Sequence, residues 1–292
     1  EYLEANNANP KPFVWTALAW GGRRDLALVS RLALMDSLKK RVDTGEALCR
    51  NGIQRGGPSV EHHEIVGWPI LESANFPREC LLHLDAKRLP VNDDPWTHRL
   101  TDISAFVTPQ LIMKRSWTRE SGRLRCVHVM NAPPNRGVIC SQNFISVHLP
   151  SESGEAISGA VIAYNSIVAV YFTLLTSGRL ASYRPNATVG ELLSVPFREL
   201  DETLELPTSL DSLDECVRNL FGLKDADWVL VNDLTQVTLE DFQGDEESPG
   251  RQPTTRKATG KQAATREPHL GPYCEYFLRV LRAGFGPDVR AS

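Results

Sequence analysis

The sequence predicts an α+β fold: a twisted, mainly antiparallel sheet packed on a central apolar helix, with a helical appendix toward the C-terminus. Three observations predict it. Gln142–Leu149 alternates, with Phe144, Ser146 and His148 on one side and Ile145, Val147 and Leu149 on the other, as a strand with one better-buried face does. Ala156–Ser177 places Ile157, Val161, Tyr164, Val168, Tyr171 and Leu175 at steps of three and four, which is one face of a helix. Ile162, Val170 and Phe172 make the other faces apolar too, so this helix belongs in the middle. Finally, two apolar runs, one ending at Arg115 and one over Leu124–Met130, flank Glu120-Ser121-Gly122 as hairpin arms flank a turn.

A chain of 292 residues buries one large core or two small ones. Its 41% hydrophobic and 23% charged fractions are those of a globular protein. The net charge is −4, from 32 basic and 36 acidic residues, which excludes a surface that is basic throughout. A nucleic-acid face therefore requires local clustering. Cys49, Cys80, Cys126, Cys140, Cys216 and Cys274 lie far apart with no CxxC pair, which fits reduced thiols in a cytoplasmic protein. The first residues form no signal-peptide pattern, and an opening at Glu1 rather than Met fits a piece of a longer polypeptide. No charge falls between Glu155 and Arg179, enough length to span a bilayer at about 20 residues. Asn165 and several Ser and Thr interrupt that stretch, so it reads as a helix buried in protein, with no membrane partner.

Taken in order, Glu1–Pro12 is a polar loop and Phe13–Trp20 a short apolar segment. Gly21-Gly22 has neither GxGxxG nor GxxxxGK[ST] around it and reads as a turn before a helix reaching Leu38, not as a phosphate cradle. Asp43–Glu79 is loop-rich. His62 and His63, being adjacent, point apart, so His62-His63-Glu64 reads as surface and not as a metal motif. Cys80–Leu89 is a short strand and Asn92–His98 a turn cluster.

Lys114, Arg115, Arg119, Arg123 and Arg125 then set five positive charges about the hairpin turn, opposed only by Glu120. Such residues meet phosphates, and one Arg reads guanine in the major groove. The other reading is a solvated hairpin whose Arg stems cover apolar surface. After the apolar helix, Arg179, Tyr183 and Arg184 offer backbone contacts, although Arg179 also suits a helix C-terminus. A short helix over Val189–Leu193 and a Val-Pro-Phe exit follow. Leu200–Phe242 turns acidic, with a helix from Ser212 ended by Gly222 and a short apolar run at Trp228–Val231. Asp225, Asp227 and Asp233 lack nuclease spacing and read as solvation. Gln243–Glu267 has the composition of a disordered linker, and Tyr273–Phe285 that of an amphipathic helix.

The order of a strand, an apolar helix with Tyr164-Asn165-Ser166 at its centre and the exit Ser194-Val195-Pro196-Phe197 resembles the target recognition region of adenine-specific DNA methyltransferases, Eco57I-like enzymes and type I modification subunits. The run Phe106-x-x-Pro109-x-Leu111-Ile112-x-Lys114-Arg115 resembles the strand that enters the family's recognition sheet. The likeness covers Phe13 to Phe242. It implies residues 1–40 as a linking helical segment, 41–200 as the recognition domain and 201–242 as the appendix. Residues 243–268 are then a linker and 269–292 a terminal helix. It also implies double-stranded DNA as partner, in a restriction-modification or related defence system. The implied DNA-binding residues are Lys114, Arg115, Arg119, Arg123, Arg125, Arg179, Tyr183 and Arg184. The family's catalytic Asn/Asp-Pro-Pro-Tyr/Phe loop is not matched by Asn131-Ala132-Pro133-Pro134-Asn135: an Ala intervenes, and Asn135 cannot stack on a flipped base. No catalytic residue is therefore expected here, no metal, and no cofactor in this chain. S-adenosylmethionine is expected on a catalytic domain or partner subunit. The second reading is a non-catalytic scaffold of a methyltransferase-like defence complex. An independent enzyme is disfavoured, because no nucleophile–base pair stands out.

Overall fold

A computed structural model describes residues 13–77, 81–100, 102–116, 122–150, 154–177, 187–200 and 206–235. All belong to one compact unit, Glu1–Glu240; the linker and the Tyr273–Phe285 segment lie outside the described residues.

The apolar segment at the start is a helix, α1 (Phe13–Trp20), burying Val14 and Ala17. Gly22 is the extended N-cap of α2 (Arg23–Leu32), whose Leu26, Val29 and Leu32 are buried as their spacing predicts. This helix stops short of Leu38. The chain instead forms β1 (Asp36–Ser37), and Ser37 caps a new helix, α3 (Leu38–Asp43). Strand pairing at Asp36 overrides a periodicity that continues locally. There follow β2 (Leu48–Asn51), β3 (Val60–Glu61), β4 (Ile70–Leu71), β5 (His83–Asp85) and β6 (Trp96–Thr97). The expected hairpin is β7 (Gln110–Lys114) and β8 (Cys126–Met130), then β9 (Ile139–Cys140) and β10 (Phe144–His148).

The main sheet has five strands in the order β2-β10-β7-β8-β5. Every pairing is antiparallel except β5 with β8, so the fold is α+β with a mainly antiparallel sheet. Strand β10 has no solvent face: Phe144 to Val147 are all buried, because β2 and β7 flank it and both faces are covered. On one face Phe144 joins Ile112, Val127, Val129 and Leu84 in the core. There Ser146 is satisfied, donating to Ala105 O and accepting from Gln110.

The single apolar helix expected over Ile157–Leu175 is two: α4 (Gly154–Asn165) and α5 (Ile167–Thr176), bent by 70° at Ser166. Ser166 is extended (φ −82°, ψ 160°) and accepts the Ala169 N–H as the N-cap of α5. Helix α4 lies on β8, whereas α5 departs and packs against α1 and α2. No single helix among the described residues is long and apolar enough to cross a bilayer.

After α6 (Val189–Leu193), opened by a Thr188–Glu191 capping box, β11 (Pro196–Phe197) pairs with β1. Next come α7 (Leu210–Phe221), with Ser209 as N-cap and left-handed Gly222 as C-cap, and α8 (Asp225–Asp233), so the apolar run at Trp228 is helical. Both pack against α5. The N-terminal helices and the appendix thus share a layer with α5, and the divisions expected at 40/41 and 200/201 fall inside one compact unit.

Gly159 is where α4 meets the chain leaving β11: an added Cβ would sit 1.9 Å from Arg198 O. Gly159→Ala is expected to lower stability by about 1–3 kcal/mol in a denaturant titration. Gly154→Ala, whose Cβ meets nothing within 4 Å, should leave it unchanged or slightly raised.

Candidate nucleic-acid interface

The hairpin arms are in register with Met113 opposite Cys126, and Lys114 N–H donates to Arg125 O at 2.9 Å. Lys114 ends β7 and Arg115 follows it. Both are partly exposed, and neither has a carboxylate partner among the described residues. Arg115 is held by its backbone: its N–H donates to Asn143 O at 3.0 Å, and its carbonyl accepts from Ala187 N at 3.0 Å. The end of β7 therefore meets the chain entering α6. Arg119 falls in residues 117–121, and Arg179, Tyr183 and Arg184 fall in residues 178–186. Those four side chains lie outside the described residues.

Arg123 and Arg125 are corrected. Neither presents its guanidinium as a phosphate contact, because both face the interior. Arg123 is paired through both terminal nitrogens with Asp214, at 2.7 and 2.5 Å, and each side chain is 11% exposed. Arg125 is 6% exposed, donates from Nε to Asn165 Oδ1 at 3.0 Å and lies over the Phe76 ring. A signal for this existed: alternation puts Arg125 on the same face as Val127 and Val129, which are buried.

Three residues carry this arrangement, and none of them was among the candidate site residues of the sequence. Asn165, 3% exposed, spends its whole amide: Oδ1 accepts from Cys126 N and Arg125 Nε, and Nδ2 donates to Cys126 O and Val161 O. Ser166 caps α5, and Asp214 Oδ1 also accepts the Ile167 N–H at 2.9 Å. Asp214, in the acidic stretch after Leu200, is buried because α7 packs on the break.

The remaining candidates have local partners. The Gly21-Gly22 turn is filled from within: Asp25 takes the Gly22 N–H at 2.8 Å and the Tyr171 hydroxyl at 2.9 Å, so no anion cradle is open there. His62 bonds Glu64 and His63 pairs with Glu61, so the two rings serve different carboxylates. Asp227 pairs with Arg31 at 2.6 Å and Asp225 with Arg218. Asn131 and Asn135 adopt left-handed backbone (φ 56° and 58°) in a loop, as expected of that stretch. Among the described residues no three His, Cys, Asp or Glu side chains gather as metal ligands. Burial pushes the Cys49 thiol up to about 11, and those of Cys126 and Cys140 higher still, so none of these three is a thiolate nucleophile.

His128 lies beside His83 in register, ring centroids 5.9 Å apart. Burial, and secondarily the charge on His83, push His128 down to about 4. The unfolded chain takes up that proton near pH 6.5 and the folded chain only near 4, so this histidine costs stability as pH falls between those values. In His128→Gln the loss of Tm on acidification from pH 6.5 to 4 should be shallower than in the parent chain. For the ion pair, Asp214→Ala should cost about 3–5 kcal/mol in a urea titration, since it strands a buried guanidinium.

The chain matches no known family model and no curated protein.

Proposed function

We propose that this chain is the DNA-binding target recognition portion of an adenine-specific DNA methyltransferase of a restriction-modification or related defence system. Catalysis and S-adenosylmethionine binding would belong to polypeptide outside this sequence. The observation that carries the reading is the bond from Ala187 N to Arg115 O. It fixes the strand end at which Lys114 and Arg115 stand together. A chain of net charge −4 binds a polyanion only through such local clustering. The second support is the resemblance itself: the Tyr164-Asn165-Ser166 signature coincides with a helix break that Asn165 bonds to β8.

A second reading, a scaffold subunit that binds no DNA specifically, is favoured by one observation. Arg123 and Arg125 serve the interior, which leaves Lys114 and Arg115, both only partly exposed, as the remaining cations of the hairpin among the described residues.

Duplex binding measured across a salt series separates the two. A recognition module should bind less tightly as salt rises, and Lys114→Ala and Arg115→Ala should each reduce the slope of log affinity against log salt by about one. A scaffold would show no such slope in the parent chain. Added S-adenosylmethionine should leave either result unchanged.

A further inference from the structure

We propose that Asp214 is a positioning residue for the phosphate contact at Lys114 and Arg115, an inference that rests on the DNA-binding reading. Asp214 sits on α7, 91 residues from Arg123 in sequence, yet its carboxylate grips that guanidinium at 2.7 and 2.5 Å. The same carboxylate accepts the first N–H of α5, from Ile167, at 2.9 Å. Arg123 also donates to Asn165 O, the last residue of α4. The return arm of the hairpin is thereby fastened to both sides of the helix break.

From Arg123 the path to the basic corner is short. Leu124 is 1% exposed and fixed in the core. Arg125 follows, and its carbonyl receives the Lys114 N–H at 2.9 Å. Without the Asp214 charge, Arg123 would be a buried cation with no anion and would turn toward water. The backbone at residues 122–125 would move with it, and Lys114 would lose its strand partner. A basic pair presented on a fixed strand end loses less freedom on binding than one on a loose end.

The test uses the whole chain and the variant Asp214→Asn, which keeps an acceptor for Ile167 but removes the charge. At a temperature where circular dichroism shows the variant folded, duplex affinity should fall about five- to tenfold, and this loss should shrink below about twofold when Lys114→Ala is already present. Amide hydrogen exchange should speed up at residues 113–116 and 122–126, while 144–148 keep the parent rate. Equal losses in both backgrounds, or exchange raised equally at 144–148, would make Asp214 merely structural and overturn the proposal. If the parent chain binds duplex and Asp214→Asn binds as well, this inference alone fails. If the parent chain shows no salt-dependent binding, the DNA reading fails and takes the inference with it.

Discussion

The architecture depends on one buried amide. Cys126 stands opposite Met113 on β7, and the neighbouring pair, Lys114 with Arg125, makes the ladder bond. In an antiparallel pair, hydrogen-bonded and non-bonded positions alternate. Cys126 therefore turns its own N–H and C=O away from β7, toward the side where β5 pairs only from His128 onward. Asn165 fills that gap: its Nδ2 donates to Cys126 O at 2.7 Å and its Oδ1 accepts from Cys126 N at 3.3 Å. The side chain acts as a one-residue strand. An Asp there would lack the donor, and a Leu would leave two buried backbone groups unpaired, at about 1–3 kcal/mol each.

The helix break follows from the same constraint. To reach β8, Asn165 has to end α4 against the sheet. Ser166 then starts α5 in a new direction, 70° away. The first half covers the sheet, and the second half becomes the post around which α1, α2, α7 and α8 assemble. Two of these partners, α2 and α7, tie themselves to the post by a polar contact in an apolar layer. Asp25 joins α2 to Tyr171 of α5, and Asp214 joins α7 to the first turn of α5. Such contacts work only at one orientation, because a buried polar group left unpaired is costly in low dielectric. Packing of all-apolar helices alone would leave their rotation weakly determined.

Much of this was legible in the residues. Gly222 ends α7 through its left-handed backbone and α6 stands over Val189–Leu193, whereas α7 opens at the Ser209 cap and not at Ser212. Strand β10 and the hairpin also followed from their patterns. The break at Ser166 did not, because apolar residues surround both halves and their periodicity runs on in phase across it. Nor did the short ladders β1–β11 and β4–β9, whose partners lie far apart in sequence. The fate of the arginines was only half legible. Charge type and density marked Lys114 through Arg125 as one group, but charge carries no direction. Register decides it: Arg125 falls on the face of Val127, while Lys114 and Arg115 lie where the strand runs out.

That division changes what the basic cluster means. Exposed charges interact over about 8 Å at physiological salt, so the acidic residues of α7 and α8 weigh on a phosphate only if they lie within that distance. Asp214 is already neutralised by Arg123, Asp227 by Arg31 and Asp225 by Arg218. These three carboxylates of α7 and α8 are thus engaged by arginines of the chain, whereas Lys114 and Arg115 have no carboxylate partner among the described residues. The interior arginines are not a loss to such a corner. They fasten the backbone next to the partly exposed pair, which the proposed contact with a regular phosphate backbone would require.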